Sequence, residues 1–449
     1  MLNYVWLAML LTGVAVAGVT GNVRAAVEAS IRAAETAVTL SFGLIGVMSL
    51  WLGVMRLAEK SGLVGTLARG LRPIMTRLFP EVPADHPAMA SMMLNIAANM
   101  LGLTNAATPF GLRAMRDLEA LNPHPGTATN AMCTFLAVNT GSVQLIPASA
   151  IALLASAGSN NPTAIVGATL VATCFSSAVG LIVVKALQGW RVFKAPPPPA
   201  LDPIGPSAPA QGRPERVDIS VGVAATEPPP LTLWRRGVLG LVLIGFVVLI
   251  GVTAFPHWVG RSQDAAVMGR PDWVLVLDAV SLLAIPFLLS FFPLYAALRK
   301  VAVYEEFVEG AKEGFQVALR IIPYLVGMLV AIGLLRGSGS MEWLTGVLRQ
   351  PLERVGFPPE LVPISLIRPL SGSASLAAFS DLVKAFGPDH LLSRTAGTLF
   401  GSTETTFYVV AVYFGSVAVR RVRHAIWAGL AADAAGCVAA VVVCRMMFG

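Results

Sequence analysis

The chain has 449 residues, of which 55% are hydrophobic and only 13% charged, with a formal net charge of +7. Soluble domains carry about 25% charge, and here the apolar residues come in long uncharged runs, which excludes an ordinary soluble fold. The basic excess lacks any Lys/Arg run interleaved with aromatics, so it fits the loops of a bilayer protein rather than nucleic-acid binding; four cysteines without a C-x-x-C pair exclude a zinc or disulfide framework.

About 20 apolar residues cross the hydrocarbon as a helix. The first such run, 2–20, has no basic leader and reads as a retained helix rather than a cleaved signal. Further spans are expected near 37–56, 127–156 and 163–187. Between them a mixed region, 57–126, holds an interfacial stretch over 63–78 and a small-residue stretch over 89–108. A polar linker, 195–230, opens on Pro196-Pro197-Pro198-Pro199 and closes on Pro228-Pro229-Pro230. Such Pro-rich segments are extended and bury no core, so it divides the chain into halves 1–194 and 231–449. The second half is expected to span near 234–255, 273–296, 317–336, 391–418 and 424–447, with an irregular region at 337–390. The fold class is an all-α polytopic membrane protein of about nine spans with two re-entrant segments and broken helices.

The halves repeat one another. Ala26-Val27-Glu28-Ala29, an apolar span, Ser61-Gly62 and Leu71-Arg72-Pro73 are matched by Phe307-Val308-Glu309-Gly310, a span, Ser338-Gly339 and Arg349-Gln350-Pro351. Basic residues cluster at 56–77, in the linker, at Arg299-Lys300 and at Arg420-Arg421-Arg423, and one topology puts all four clusters in the cytoplasm with the N-terminus. One more helix precedes the second repeat, so the repeats are inverted. Inverted repeats with interrupted helices are the build of secondary transporters, whose sites lie at the repeat interface.

Four polar stretches fall where lipid-facing sequence would be apolar. They are Asn95-Ile96-Ala97-Ala98-Asn99 running on to Asn105, Asn139-Thr140-Gly141-Ser142 with Gln144, Arg368-Pro369-Leu370-Ser371-Gly372-Ser373, and Gly401-Ser402-Thr403-Glu404-Thr405-Thr406. Gly and Pro break the helix, and open backbone at membrane depth survives only where it lines a cavity or is covered by protein. Glu404 and Arg368 are the sharpest residues, because an ionisable group inside a span has a partner or a task. Either Glu404 binds a solute or coupling ion, or it forms a salt bridge to Arg368 that locks two segments. Asn95, Asn99 and Asn139 serve either a ligand or interhelical hydrogen bonds. Glu404, Thr403 and Ser402 are expected to face Asn139 and Thr140, and Arg368 with Ser371 and Ser373 to face Asn95 and Asn99. Glu305, Glu306, Glu309 and Glu313 read as the solvated face of an interfacial helix. No H-E-x-x-H, G-x-S-x-G or P-loop is present, so no enzyme is expected.

Several longer motifs carry a resemblance. Trp51-Leu52-Gly53, Pro80-Glu81-Val82-Pro83, Asn95 to Gly102 and Asn105-Ala106-Ala107-Thr108-Pro109-Phe110-Gly111 resemble the spore maturation protein A family. Phe307 to Phe315, Arg368 to Ser373 and Gly401 to Tyr408 resemble the spore maturation protein B family. The chain looks like a fusion of the two. Both resemble the nucleoside-recognition, or Gate, family, distantly similar to concentrative nucleoside transporters, which couple uptake to Na+ or H+. Gly401, Thr403 and Glu404 match the Gly-Gln-Thr-Glu motif that contacts nucleoside there, and Ser402 stands where those proteins have the glutamine. The resemblance implies a multi-pass protein of the bacterial plasma membrane that moves a small polar solute by alternating access. It also implies Na+ or H+ as coupling ion, no other cofactor, the bilayer and the solute as partners, and room for a homo-oligomer. The alternative is a non-transporting scaffold in envelope or spore maturation.

Overall fold

A computed structural model describes residues 2–193, 231–259 and 270–449; the linker expected at 195–230 lies outside the described residues. The first half contains α1 (Leu2–Thr20), α2 (Val23–Lys60), α3 (Leu63–Leu78), α4 (Pro87–Met100), α5 (Thr104–Glu119), α6 (Asn130–Thr140), α7 (Ala148–Ser156) and α8 (Ile165–Leu187). The second contains α9 (Leu233–Ala254), α10 (Asp272–Leu298), α11 (Val303–Gly337), α12 (Ser340–Arg354), α13 (Val362–Ile367), α14 (Gly372–Phe386), α15 (Leu391–Ser402), α16 (Thr406–Gly415) and α17 (Ala425–Phe448). Among the described residues six helices, α2, α8, α9, α10, α11 and α17, are long and apolar enough to cross a membrane. The protein is an all-α polytopic membrane protein. Leu11, Val14, Leu241 and Val247 on α1 and α9 stand exposed, as side chains facing lipid must.

The expected spans at 127–156 and 391–418 are each split in two, at the polar interruptions that the sequence carries there. The region 337–390 is more ordered than its composition suggests. Gly339 takes a left-handed conformation (φ 83) that starts α12, and the Ser371 side chain accepts a hydrogen bond from the Ala374 amide (3.2 Å) to start α14. A small-residue run thus becomes helix once its first turn is capped.

Two long helices form the main seam. At 38 and 35 residues, α2 and α11 measure about 57 and 52 Å, so they overrun a hydrocarbon core of about 30 Å. They run antiparallel: Gly337 lies against Ala26, Gly333 against Ala29, Gly314 against Ser49 and Gly310 against Leu52. A Cβ at Gly310 would come within 2.5 Å of the Leu52 carbonyl oxygen, so only glycine lets the backbones approach this closely. The projecting start of α11 is not simply a solvated face. Glu306 and Glu313 clamp Arg56 of α2 at 2.7 and 2.5 Å, while Glu309 pairs with Lys312.

A second antiparallel seam joins α8 and α17, where Gly180 lies against Ala432 and Ser176 Oγ donates to the Ala432 carbonyl (2.8 Å). Some local features occur in both halves. Gly62 and Gly339 (φ 75 and 83) follow α2 and α11, and the next helices carry Pro73 and Pro351. Gly141 sits on Ser177 of α8, as Gly436 of α17 sits on Thr403; Gly429 sits on Thr140, as Gly401 sits on Thr169.

Three basic side chains donate to main-chain carbonyls. Arg423 donates to the Phe193 and Ala128 carbonyls (2.6 and 3.0 Å), Lys185 to Leu78 (2.9 Å) and Arg235 to Leu298 (2.9 Å), while Tyr295 meets Thr66 (3.1 Å). These bonds hold the ends of α3, α8, α9 and α10 and the loop before α17 together.

Candidate functional site

The two broken helices meet each other. Helix α6 stops at Thr140, Gly141 caps it still in helical geometry (φ −65, ψ −11), Ser142 (φ 42) leaves that geometry, and α7 resumes after Pro147. Helix α15 stops at Ser402, Thr403 is extended (φ −137, ψ 161), and α16 starts at Thr406. Each freed backbone group named here has a protein partner, as burial in a bilayer requires. The Glu404 amide donates to the Thr140 carbonyl (2.9 Å), and the Gly141 carbonyl accepts from Thr173 Oγ1 and Ser177 Oγ (2.9 and 3.1 Å). The Thr403 carbonyl accepts from Arg368 Nη2, and the Phe407 amide donates to the Pro369 carbonyl (2.9 Å).

Arg368 is buried. Its guanidinium lies over the Phe400 ring (4.6 Å), Nη1 donates to Thr405 Oγ1 (3.3 Å), and Nε has no partner. Placing this cation on the carbonyl end of α15 uses the negative pole of that helix. Its Nη2 also stands 4.0 Å from Glu404 Oε2. Glu404 sits at the amide end of α16: Oε2 accepts from the Thr405 amide (3.4 Å) and Oε1 from Gln144 Nε2 (3.5 Å). The glutamate side chain is 29% exposed where the arginine is 5% exposed, so the polar centre is open on the carboxylate side.

A second polar group adjoins the first through Asn139 and Thr140. Asn99 Nδ2 donates to Asn139 Oδ1 (3.0 Å), and Asn95 Nδ2 donates to the Ala107 carbonyl (2.7 Å) and to Tyr413 Oη (3.2 Å). Tyr413 Oη in turn donates to Asn139 Oδ1 (3.4 Å).

The structure therefore brings Thr140, Arg368, Thr403 and Glu404 into one cluster and Asn95, Asn99 and Asn139 into its neighbour. Arg368 does not pair with Asn95 or Asn99; its partners lie on 400–405. The reason is the Pro369–Phe407 bond, which fastens the turn before α14 onto the break before α16. Ser371 is occupied as the cap of α14 and stands 3.3 Å from Ser373, whereas Ser402 and Thr140 turn their hydroxyls back onto the Leu399 and Leu136 carbonyls. Gly401 is a contact residue, since a Cβ there would lie 2.5 Å from Pro147 Cβ.

Four participants escaped the sequence reading. Thr173, Ser177 and Tyr413 sit in apolar runs and carry no signal of their own. Asp433 did carry one. It is an ionisable residue inside the span α17, and the rule that singled out Glu404 applies equally to it. Its Oδ2 accepts from Thr406 Oγ1 (2.6 Å), its Oδ1 has no partner, and it is 4% exposed. Among the described residues no group of three or more His, Cys, Asp or Glu side chains could hold a metal ion.

The family model described as nucleoside recognition (Gate) matches residues 41–189 and 318–420. Spore maturation protein B of Bacillus subtilis (strain 168) is 44% identical over 174 residues, covering 39% of this chain and 98% of that protein. Spore maturation protein A of the same organism is 42% identical over 191 residues, covering 42% of this chain and 97% of that protein. No solved structure matches the chain.

Proposed function

Since the chain belongs to the nucleoside-recognition (Gate) family, we propose that it is a bacterial plasma-membrane transporter that moves a small polar, nucleoside-like solute by alternating access. The observation that carries this reading is Glu404, a 29% exposed carboxylate held between two helix breaks and opposite a buried arginine. The solute-facing groups are Glu404 with Gln144, Asn99 and Ser373, all partly open; Arg368 and Thr403 position the carboxylate from behind. Carboxylate, amide and hydroxyl groups together suit a ligand rich in hydroxyl and N–H donors.

The inverted repeat supports the reading. Antiparallel pairing of α2 with α11 and of α8 with α17, together with the matched contacts at Gly141/Gly436 and Gly401/Gly429, is what a two-fold axis in the membrane plane produces. On this axis the α4–α5 and α13–α14 pairs are re-entrant hairpins, the halves meet at 195–230, and the basic end with the linker and N-terminus is cytoplasmic. The test is thermal unfolding of purified protein over a panel of nucleosides, small dicarboxylates and alkali cations. A ligand should raise the melting temperature of the wild type and not of Glu404→Gln; no shift with any ligand, with transport intact in Glu404→Gln, would refute the site.

A second reading is a membrane scaffold in envelope or spore maturation; spore maturation is the process named in both relatives. Its support is the burial of Asn95, Asn139, Ser402 and Thr403: Asn139 donates to the Phe135 carbonyl, Ser402 and Thr403 to the Leu399 carbonyl, and Asn95 Nδ2 to the Ala107 carbonyl. It expects no small-molecule response at all.

A further inference from the structure

We infer that Asp433 is a proton-binding site that shares Arg368 with Glu404, so that protonation of one carboxyl sets the charge state around the other. The inference rests on the proposed Arg368–Glu404 site, but its test needs no substrate.

The geometry starts with isolation. Asp433 lies mid-helix in α17, 4% exposed, with one hydroxyl, Thr406 Oγ1, on Oδ2 and nothing on Oδ1. No ion pair reaches it among the described residues. Helices α6, α8, α15 and α16 pack on α17. Around Asp433 they contribute Thr140, Ser176 and Thr406, and the break between α15 and α16 adds Thr403, all uncharged side chains. The break whose Thr406 bonds Asp433 also carries Glu404 and, through Thr405 Oγ1, Arg368; these and Cys437, one turn along its own helix, are the titratable groups that act on it. An isolated carboxylate buried this way costs far more than one hydroxyl returns.

Charge balance completes the case. Arg368, Glu404 and Asp433 together carry one positive charge and two acids, so the triad is neutral when it holds one proton. Glu404 is the better partnered of the two acids. It has Arg368 at 4.0 Å, the Thr405 amide, the Gln144 amide and access to solvent. The proton belongs on Asp433. Its departure to solvent leaves a second negative charge facing Arg368, whose Nε is already unpartnered, and weakens the hold of Arg368 on Glu404. Proton release from Asp433 thereby opens the Glu404 carboxylate for a solute, and proton uptake closes it.

Infrared spectroscopy of the full chain in nanodiscs tests this directly. A protonated-carboxyl C=O band should be present at pH 7, should shift on selective 13C labelling of aspartate and not of glutamate, should vanish in Asp433→Asn and should survive Glu404→Gln. The aspartate labelling uses wild-type protein, so the test stands even if Asp433→Asn fails to fold. Absence of the band at pH 7, or a band that follows glutamate labelling, overturns the proposal. So does a rise in melting temperature with NaCl over choline chloride in wild type but not in Asp433→Asn, which would make the site one for Na+. A band on Asp433 with no ligand response anywhere would refute transport and leave the proton site standing.

Discussion

Arg368 and Glu404 form a pair whose two ends lie in different environments: Nη2 stands 4.0 Å from Oε2, with the arginine 5% and the glutamate 29% exposed. The arginine is fixed by the Thr403 carbonyl, Thr405 Oγ1 and the Phe400 ring, so it holds the break together whether or not the glutamate is engaged.

That asymmetry makes the two substitutions unequal. Arg368→Ala removes the donor to a buried carbonyl and leaves the Glu404 carboxylate without a cation, and is expected to cost about 3–5 kcal/mol. Glu404→Gln keeps the shape, lies at the open side, and is expected to cost about 1 kcal/mol or less. Thermal unfolding of both variants checks the order; equal losses would mean that the pair is only a structural lock.

The α2–α11 seam gives a packing prediction. Gly310→Ala and Gly314→Ala each place a Cβ 2.5 Å from backbone of α2, at the Leu52 carbonyl oxygen and the Ser49 Cα, and should each cost about 1–3 kcal/mol. Gly46→Ala, with nothing within 4 Å, should gain about 0.5–1 kcal/mol from helix propensity. Melting temperatures of the three variants decide it.

How far the sequence reached depended on what each feature left in the residue order. The spans and the two polar interruptions were legible, because uncharged runs and Gly/Pro-rich breaks are local. So was the pairing of the break at 139–144 with that at 401–406. The Arg368–Glu404 pair was legible as one of two alternatives. That Arg368 turns to the break at 400–405 and away from Asn95 and Asn99 was not, because it is set by the Pro369–Phe407 main-chain bond, which no side chain announces. The role of Glu306 and Glu313 was also hidden, because helical spacing shows which face a residue occupies but not that Arg56 stands opposite it. Asp433 was visible as a lone acid in an apolar run and was passed over beside the denser motif around Glu404.

A pH effect is expected at the loop before α15, outside the spans. Burial pushes the Asp389 carboxyl up, but Ser159 Oγ (2.6 Å), the Asn160 amide (3.0 Å) and Arg394 (3.4 Å) outweigh it and hold it below its usual value of 3.8. A depressed acid contributes stability that is full above its unfolded value, about 3.9, and is lost as pH falls through the lower folded one. The protection factor of the Asn160 amide should therefore hold down to about pH 4 and fall below it. In Asp389→Asn it should be smaller throughout and lose that step.

Topology gives an independent check. Single cysteines placed in the 195–230 linker of a cysteine-free chain should react with a membrane-impermeant maleimide in inside-out vesicles and not in intact cells. Labelling from the cell exterior would contradict the inverted arrangement of the halves.

The proposed alternating access to the break between the halves is met most directly by one measurement. Ser373→Cys, beside the Arg368–Glu404 pair and partly open, would be labelled in a cysteine-free chain with an impermeant thiol reagent, in right-side-out and inside-out vesicles. Transport by alternating access predicts labelling from both faces, with a solute that raises the melting temperature shifting the balance towards one of them. Labelling from neither face, or from one face under every condition, would contradict it.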